Sequence, residues 1–170
     1  MKWLLGIGLV ALCGGIGVQA GGVLHRRRKG IHTLVFALDL LNGEIAYSMT
    51  PLRRAFYKIA AVTEGPVQDF FTVCARRMEA HDQRLTDIWR EELQPLRESL
   101  PLGREEVDSL LELGAVLGKN DQENQKLALD RARMQLQSLL EEARQKEREG
   151  VRLYRSLGVA AGVFLALLLW

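Results

Sequence analysis

WLLGIGLVALCGGIGVQAGGVL, residues 3–24, carries no charged side chain over 22 positions, and HRRRK, residues 25–29, follows at once. As a helix the stretch rises roughly 33 Å, enough to cross a hydrocarbon core of about 30 Å. Gln19 is its one strongly polar side chain, and Trp3 at one end and His25 at the other suit the two interfaces of a bilayer. Lys2 stands before the segment; Arg26, Arg27, Arg28 and Lys29 stand after it. Basic flanks favour the cytoplasmic side, so the asymmetry predicts an N-terminus outside and a chain that continues in the cytoplasm. Gly17 with Gly21, and Ala11 with Gly15, are small-xxx-small pairs that permit close helix contact in lipid. A cleaved signal peptide is the rival reading, prompted by Val18-Gln19-Ala20, but the four bases directly behind oppose export. A lipoprotein signal is weaker still, because bulky Leu12 precedes Cys13.

The far end repeats the pattern in shorter form. SLGVAAGVFLALLLW, residues 156–170, is also uncharged. Its helix would rise only roughly 22 Å. Val151, Leu153 and Tyr154 add a turn, with Arg152 and Arg155 snorkelling to the surface, and these two arginines again predict an outward-pointing terminus. Between the ends, residues 30–150 hold all 21 acidic side chains against sixteen basic ones, a net of −5, although the whole chain carries +2. A nucleic-acid binder places its basic excess on the folded domain, so that class is excluded. Cys13 lies in the apolar segment and Cys74 in the middle; a disulfide would have to join membrane to cytoplasm, so two free thiols are expected.

The middle reads as helix throughout. Leu34, Leu38, Leu41 and Ile45 recur at 4-3-4 spacing, one face of a helix from about residue 30 to 48. Thr50-Pro51 is a start signal, Thr as N-cap and Pro at the first helical position, for a second helix with Leu52, Ala55, Phe56 and Ile59 inward. Gly65-Pro66 repeats the device for Val67, Phe70, Phe71, Cys74 and Met78. Leu85, Ile88, Trp89 and Leu96 mark a fourth helix that Pro95 should kink or end. Val107, Leu110, Leu111 and Leu117 mark a fifth, closed by Gly118. Asn120 with Glu123 reads as a capping box for a sixth, which meets no stop signal before Gly150 and is expected to run on into the last apolar segment as one rod of about 45 residues. The expected fold is therefore all-α: residues 1–29 a transmembrane anchor, 30–150 a cytoplasmic bundle of about six helices, 151–170 a second anchor.

Motifs for catalysis or cofactors do not survive inspection. Gly114-Ala-Val-Leu-Gly118-Lys119-Asn120 lacks one residue of a phosphate loop and has Asn where a Ser or Thr must hold magnesium. Two loose dinucleotide fingerprints, beginning at Gly6 and Gly15, sit inside the apolar segment and follow no strand. His25, His32 and His81 do not cluster at metal-ligand spacing, and no carboxylate pair stands out for acid–base work. No enzyme activity, cofactor, metal or small-molecule substrate is expected.

One stretch invites a sharper reading. In Leu41-Asn-Gly-Glu44-Ile45-Ala-Tyr47-Ser-Met-Thr50-Pro51-Leu52, Glu44 shares a helix face with Leu41 and Tyr47. It is either a partly exposed helix-end acid or a buried one that fixes the corner between the first two helices through a tyrosine, an arginine or a backbone N–H. This stretch, with Leu117-Gly118-x-x-Asp121-x-x-x-Gln125, the glycine-rich basic-flanked N-terminus and Tyr154-Arg155-Ser156-Leu157-Gly158, resembles stage III sporulation protein AB of endospore-forming bacteria over essentially the whole chain. The resemblance implies a subunit of the channel complex in the mother-cell membrane around the forespore. It implies a cytoplasmic domain similar to that of the type II secretion platform protein, and a secretion-type ATPase as cytoplasmic partner beside the other channel subunits. Exposed residues of the fourth and fifth helices, with the acidic run Glu105, Glu106, Asp108 and Glu112, are the surface to consider for that partner. A membrane-anchored helical scaffold unrelated to sporulation is the alternative.

Overall fold

A computed structural model describes the backbone of residues 2–46, 48, 50–80, 83–119 and 121–168, and the side chains of residues 22–46, 48, 50–80, 83–119, 121 and 123–150. Its elements are six helices: α1 Lys2–Ala46, α2 Leu52–Val62, α3 Pro66–Ala80, α4 Leu85–Ser99, α5 Arg104–Val116 and α6 Gln122–Leu168. The all-α expectation stands. The 45-residue α1 passes from the apolar stretch through the basic run into the bundle without a break, and the 47-residue α6 does the same at the other end.

The two long helices run antiparallel. Asn42 donates to Asp130 at 2.8 Å, Arg133 to Asp39 at 2.8 Å, and Arg28 meets Glu147 at 2.5 Å. Each step down α1 is matched by a step up α6, as far as Leu24 beside Gly150. Between them Ile31, Leu34, Leu38, Leu41 and Ile45 bury against Leu129, Ala132, Leu136, Leu140 and Ala143. The 3- and 4-residue spacing of both rows is what a helix needs to keep one apolar stripe on its neighbour. The four short helices α2–α5 then run up and down beside this pair. Their turns at 63–65 and 100–103 lie at the end from which the apolar segments leave, here the base; the ends of α3 and α5 and the starts of α4 and α6 lie at the opposite end, the crown.

The core of the short helices is aromatic. Phe56, Phe70, Phe71 and Trp89 meet with ring centroids 4.8–6.1 Å apart, mostly edge to face, the arrangement that ring quadrupoles favour. Trp89 Nε1 donates to the Leu110 carbonyl at 2.7 Å, which ties α4 to α5. Gly114 on α5 faces the indole so closely that a Cβ there would fall 2.1 Å from Trp89 Cδ1. The Gly114-to-Lys119 stretch is thus a packing surface and a helix end.

Several local expectations change. Thr50 does not cap α2: Pro51 is the N-cap residue, its carbonyl accepts the Arg54 and Ala55 N–H groups, and the Thr50 hydroxyl donates to Glu44. Helix α4 does not end at Pro95 but continues to Ser99, held by buried Leu93 and Leu96, and closes with the Leu100 N–H on the Leu96 carbonyl. The side chain that caps α6 is Asp121, whose Oδ1 accepts the Asn124 N–H at 3.1 Å; Asn120, expected in that role, lies outside the described residues, as do Tyr47 and His81. Gly65 before Pro66 and Gly118 after Leu117 both take positive φ, +64° and +83°, the left-handed conformation that a side chain makes costly.

Candidate functional site

At the base, the basic run is divided by its position around α1. Arg27 turns toward α5 and meets Glu106 Oε1 through Nη2 at 2.6 Å and Nε at 3.1 Å. The Glu106 side chain is wholly buried and that of Arg27 a quarter exposed. A buried carboxylate is costly unless paired, so this contact fixes the α4–α5 turn against α1. Gly103, in that turn, leaves no room for a side chain: a Cβ would fall 2.6 Å from Glu106 Oε2. Arg28 turns toward α6 and, with His25, engages Glu147. Burial pushes the Glu147 carboxyl up, but the His25 and Arg28 contacts outweigh it and hold the group below the usual carboxylate value. Arg26 and Lys29 are exposed and enter no ion pair among the described residues.

These two free bases line a groove of about 590 Å³ between α1, the α2–α3 turn and the end of α4. Its apolar wall includes Phe36 and Val62, exposed at 45% and 58%.

At the crown, Glu44 is half-buried. It accepts from the Thr50 hydroxyl and from Lys58 Nζ, both at 2.6 Å, while the Thr50 N–H donates to the Glu44 carbonyl at 3.0 Å. The corner between α1 and α2 is therefore fixed by Glu44 with a hydroxyl and a lysine, with neither arginine nor a buried carboxylate. The Lys58 contact, then Thr50, hold the Glu44 carboxyl below its usual value. The second crown corner uses Gly118, Asp121 and buried Gln125, whose Nε2 donates to the Lys119 carbonyl. Glu44, Thr50 and Pro51 on one side, Gly118 and Asp121 on the other, shape two turns at one end; Pro51, Gly118 and Asp121 are exposed there.

The acidic run on α5 is split. Glu105, Asp108 and Glu112 are exposed at 3- and 4-residue spacing and form a surface stripe, but Glu106 faces inward to Arg27 and is removed from any docking surface. Its place was visible in the sequence: it stands four residues before Leu110 and seven before Leu113, on the core register. What the spacing does not give is the partner, 79 residues away. Arg152 and Arg155, with the apolar stretches, lie outside the described side chains. Among the described residues no helix is long and apolar enough to cross a membrane, and no three His, Cys, Asp or Glu side chains group as a metal site. Cys74 is a buried free thiol whose ionisation burial pushes up, the opposite of an activated nucleophile.

Three comparisons bear on this arrangement. The family model for stage III sporulation protein AB matches residues 2–170. A curated stage III sporulation protein AB of Bacillus subtilis (strain 168) is 27% identical over 169 residues, covering 99% of each chain. A solved structure of a stage III sporulation protein AB superposes with a TM-score of 0.68 at 27% identity, over 73% of this chain and 98% of that one.

Proposed function

The chain belongs to the stage III sporulation protein AB family, and on that basis we propose that it is a non-catalytic membrane platform subunit of the sporulation channel complex. Sporulation is its setting, with other sporulation proteins as its associates. In this reading residues 1–29 and 151–170 are anchors in the mother-cell membrane around the forespore, both termini lie outside the cytoplasm, and residues 30–150 form the cytoplasmic bundle. A secretion-type ATPase docks on that bundle, with the exposed stripe Glu105, Asp108 and Glu112 as the contact to test first.

The observation that supports this is the antiparallel α1–α6 pair. Its register, from Asn42–Asp130 to Leu24–Gly150, makes both uncharged sequence segments leave the same end. Anchors that leave together require one membrane on one side and present the crown and the α5 stripe to the other. The family match sets aside the alternative of a scaffold unrelated to sporulation.

Two experiments test the proposal. Reporters fused to either terminus should be active outside, and one inserted at residue 83, in the exposed α3–α4 turn, only in the cytoplasm; a cytoplasmic terminus overturns the topology. The detergent-solubilised chain should co-purify with the ATPase at low salt, and a Glu105→Lys/Asp108→Lys/Glu112→Lys variant should not. Absence of binding by the unaltered chain removes the docking role.

A further inference from the structure

Arg26 and Lys29 are the half of the basic run that has no ion pair among the described residues, and both open onto the groove at the base. Arg27 and Arg28, between them in sequence, are taken by Glu106 and Glu147. The split follows from helix geometry, since residues three apart share a face while residues one apart do not. Arg26, Lys29, Thr33 and Phe36 recur at 3- and 4-residue spacing, so the groove runs along one face of α1. The same spacing reaches back to Gly22, which is exposed and, among the described residues, has no neighbour within 4 Å of where a Cβ would stand, close to the end of the uncharged stretch.

The groove sits at a defined level. Gly30 packs on Leu100 at the end of α4, six residues beyond Leu24, a rise of about 9 Å. The polar layer on each side of a hydrocarbon core is about 5–8 Å deep, so Arg26 and Lys29 fall within or just outside it when residues 3–24 span the core. Across the groove stand the hydroxyl of Ser99, the apolar Val62 and one acid, Glu64, on the rim. Two unpaired cations against one rim carboxylate favour an anion, and the exposed Val62 beside them suits one that is attached to an apolar body.

We propose that this groove seats the headgroup of an anionic phospholipid, its phosphodiester against Arg26 and Lys29 and its glycerol end against Val62. The proposal rests on the membrane reading above. It adds that the domain is held to the bilayer by a lipid contact of its own folded surface, in register with α1, as well as by the anchors.

The test uses the full chain in neutral detergent micelles doped with phosphatidylglycerol or phosphatidylcholine, with a fluorescent phosphatidylglycerol as displaced probe. Phosphatidylglycerol should bind about 30-fold more tightly than phosphatidylcholine, the ratio that two basic side chains supply at an anionic lipid surface. Arg26→Gln/Lys29→Gln should reduce that preference to about 2-fold or less, and Val62→Asp, which adds an acid while keeping both bases, should lower it as well. Arg90→Gln/Lys126→Gln, an equal change at exposed positions away from the groove, should leave it intact. Equal binding of the two lipids, an equal loss in the Arg90/Lys126 variant, or full displacement by inorganic phosphate alone overturns the proposal. An alkaline wash of cell membranes separates the two readings. A chain that stays in the membrane without lipid preference refutes only the groove; a chain released by the wash refutes the anchors.

Discussion

Replacing Gly114 with alanine separates packing from helix propensity, because the two predict opposite signs. Alanine in the last turn of α5 should gain up to about 1 kcal/mol over glycine from backbone entropy alone. The structure predicts a net loss. The new Cβ would stand 2.1 Å from Trp89 Cδ1, where ordinary contact begins at 3.4 Å, so the indole or α5 must retreat by about 1.3 Å. Trp89 is 1% exposed and packed against Phe56, Phe70 and Phe71, so the ring has no free direction. Overpacking of this kind costs about 1–3 kcal/mol. The same retreat breaks the 2.7 Å bond from Nε1 to Leu110, and an unsatisfied buried N–H costs about 1–3 kcal/mol more. Offset by propensity, the net destabilisation is about 1–5 kcal/mol, a fall in Tm of roughly 2–20 °C for a chain of this size. Near-ultraviolet circular dichroism of the detergent-solubilised chain reports the aromatic cluster during heating. In a Trp89→Leu background the penalty should shrink, because the ring that meets the Cβ is gone. A Gly114→Ala chain as stable as the parent, or more so, refutes the close packing of α5 on Trp89.

Three further outcomes follow from named contacts. Arg27→Met leaves Glu106 buried and uncompensated and should cost about 3–5 kcal/mol, whereas Arg27→Met/Glu106→Leu should recover most of it; a single variant no worse than the double contradicts the buried pair. The Glu44 carboxyl is depressed when folded, so its contribution is present above the ordinary carboxylate value and lost as pH falls through the lower folded value. The protection of the Thr50 amide against exchange, relative to the unfolded chain at the same pH, should therefore fall on acidification, and in Glu44→Gln it should be low at neutral pH already; protection that acid leaves unchanged rejects that role. Cys74 should resist alkylation by N-ethylmaleimide in the folded chain and react only on unfolding, as peptide mass mapping would record; rapid labelling at neutral pH would contradict its burial.

Features that depend on neighbours within a turn or two were legible in the sequence. Apolar spacing placed six helices and their inward faces: Leu34, Leu38, Leu41 and Ile45 on α1 and Phe70, Phe71 and Cys74 on α3 are all buried as their register requires. Gly65-Pro66 and Gly118 marked real boundaries because left-handed φ and a fixed proline ring are local constraints. The absence of a stop signal foretold that α6 runs on. Local rules failed where a second partner competed: Thr50 gave its hydroxyl to Glu44, across the corner, and not to a helix end, and α4 did not end at Pro95 because Leu96 had a core to enter. The rest came from tertiary packing. It paired α1 with α6, sent Arg27 to an acid 79 residues away on α5 and Arg28 to another on α6, and so left Arg26 and Lys29 facing outward. Four consecutive bases are indistinguishable in sequence; they differ because a helix turns each by about 100° toward a different neighbour, and only the folded chain says which neighbours are there.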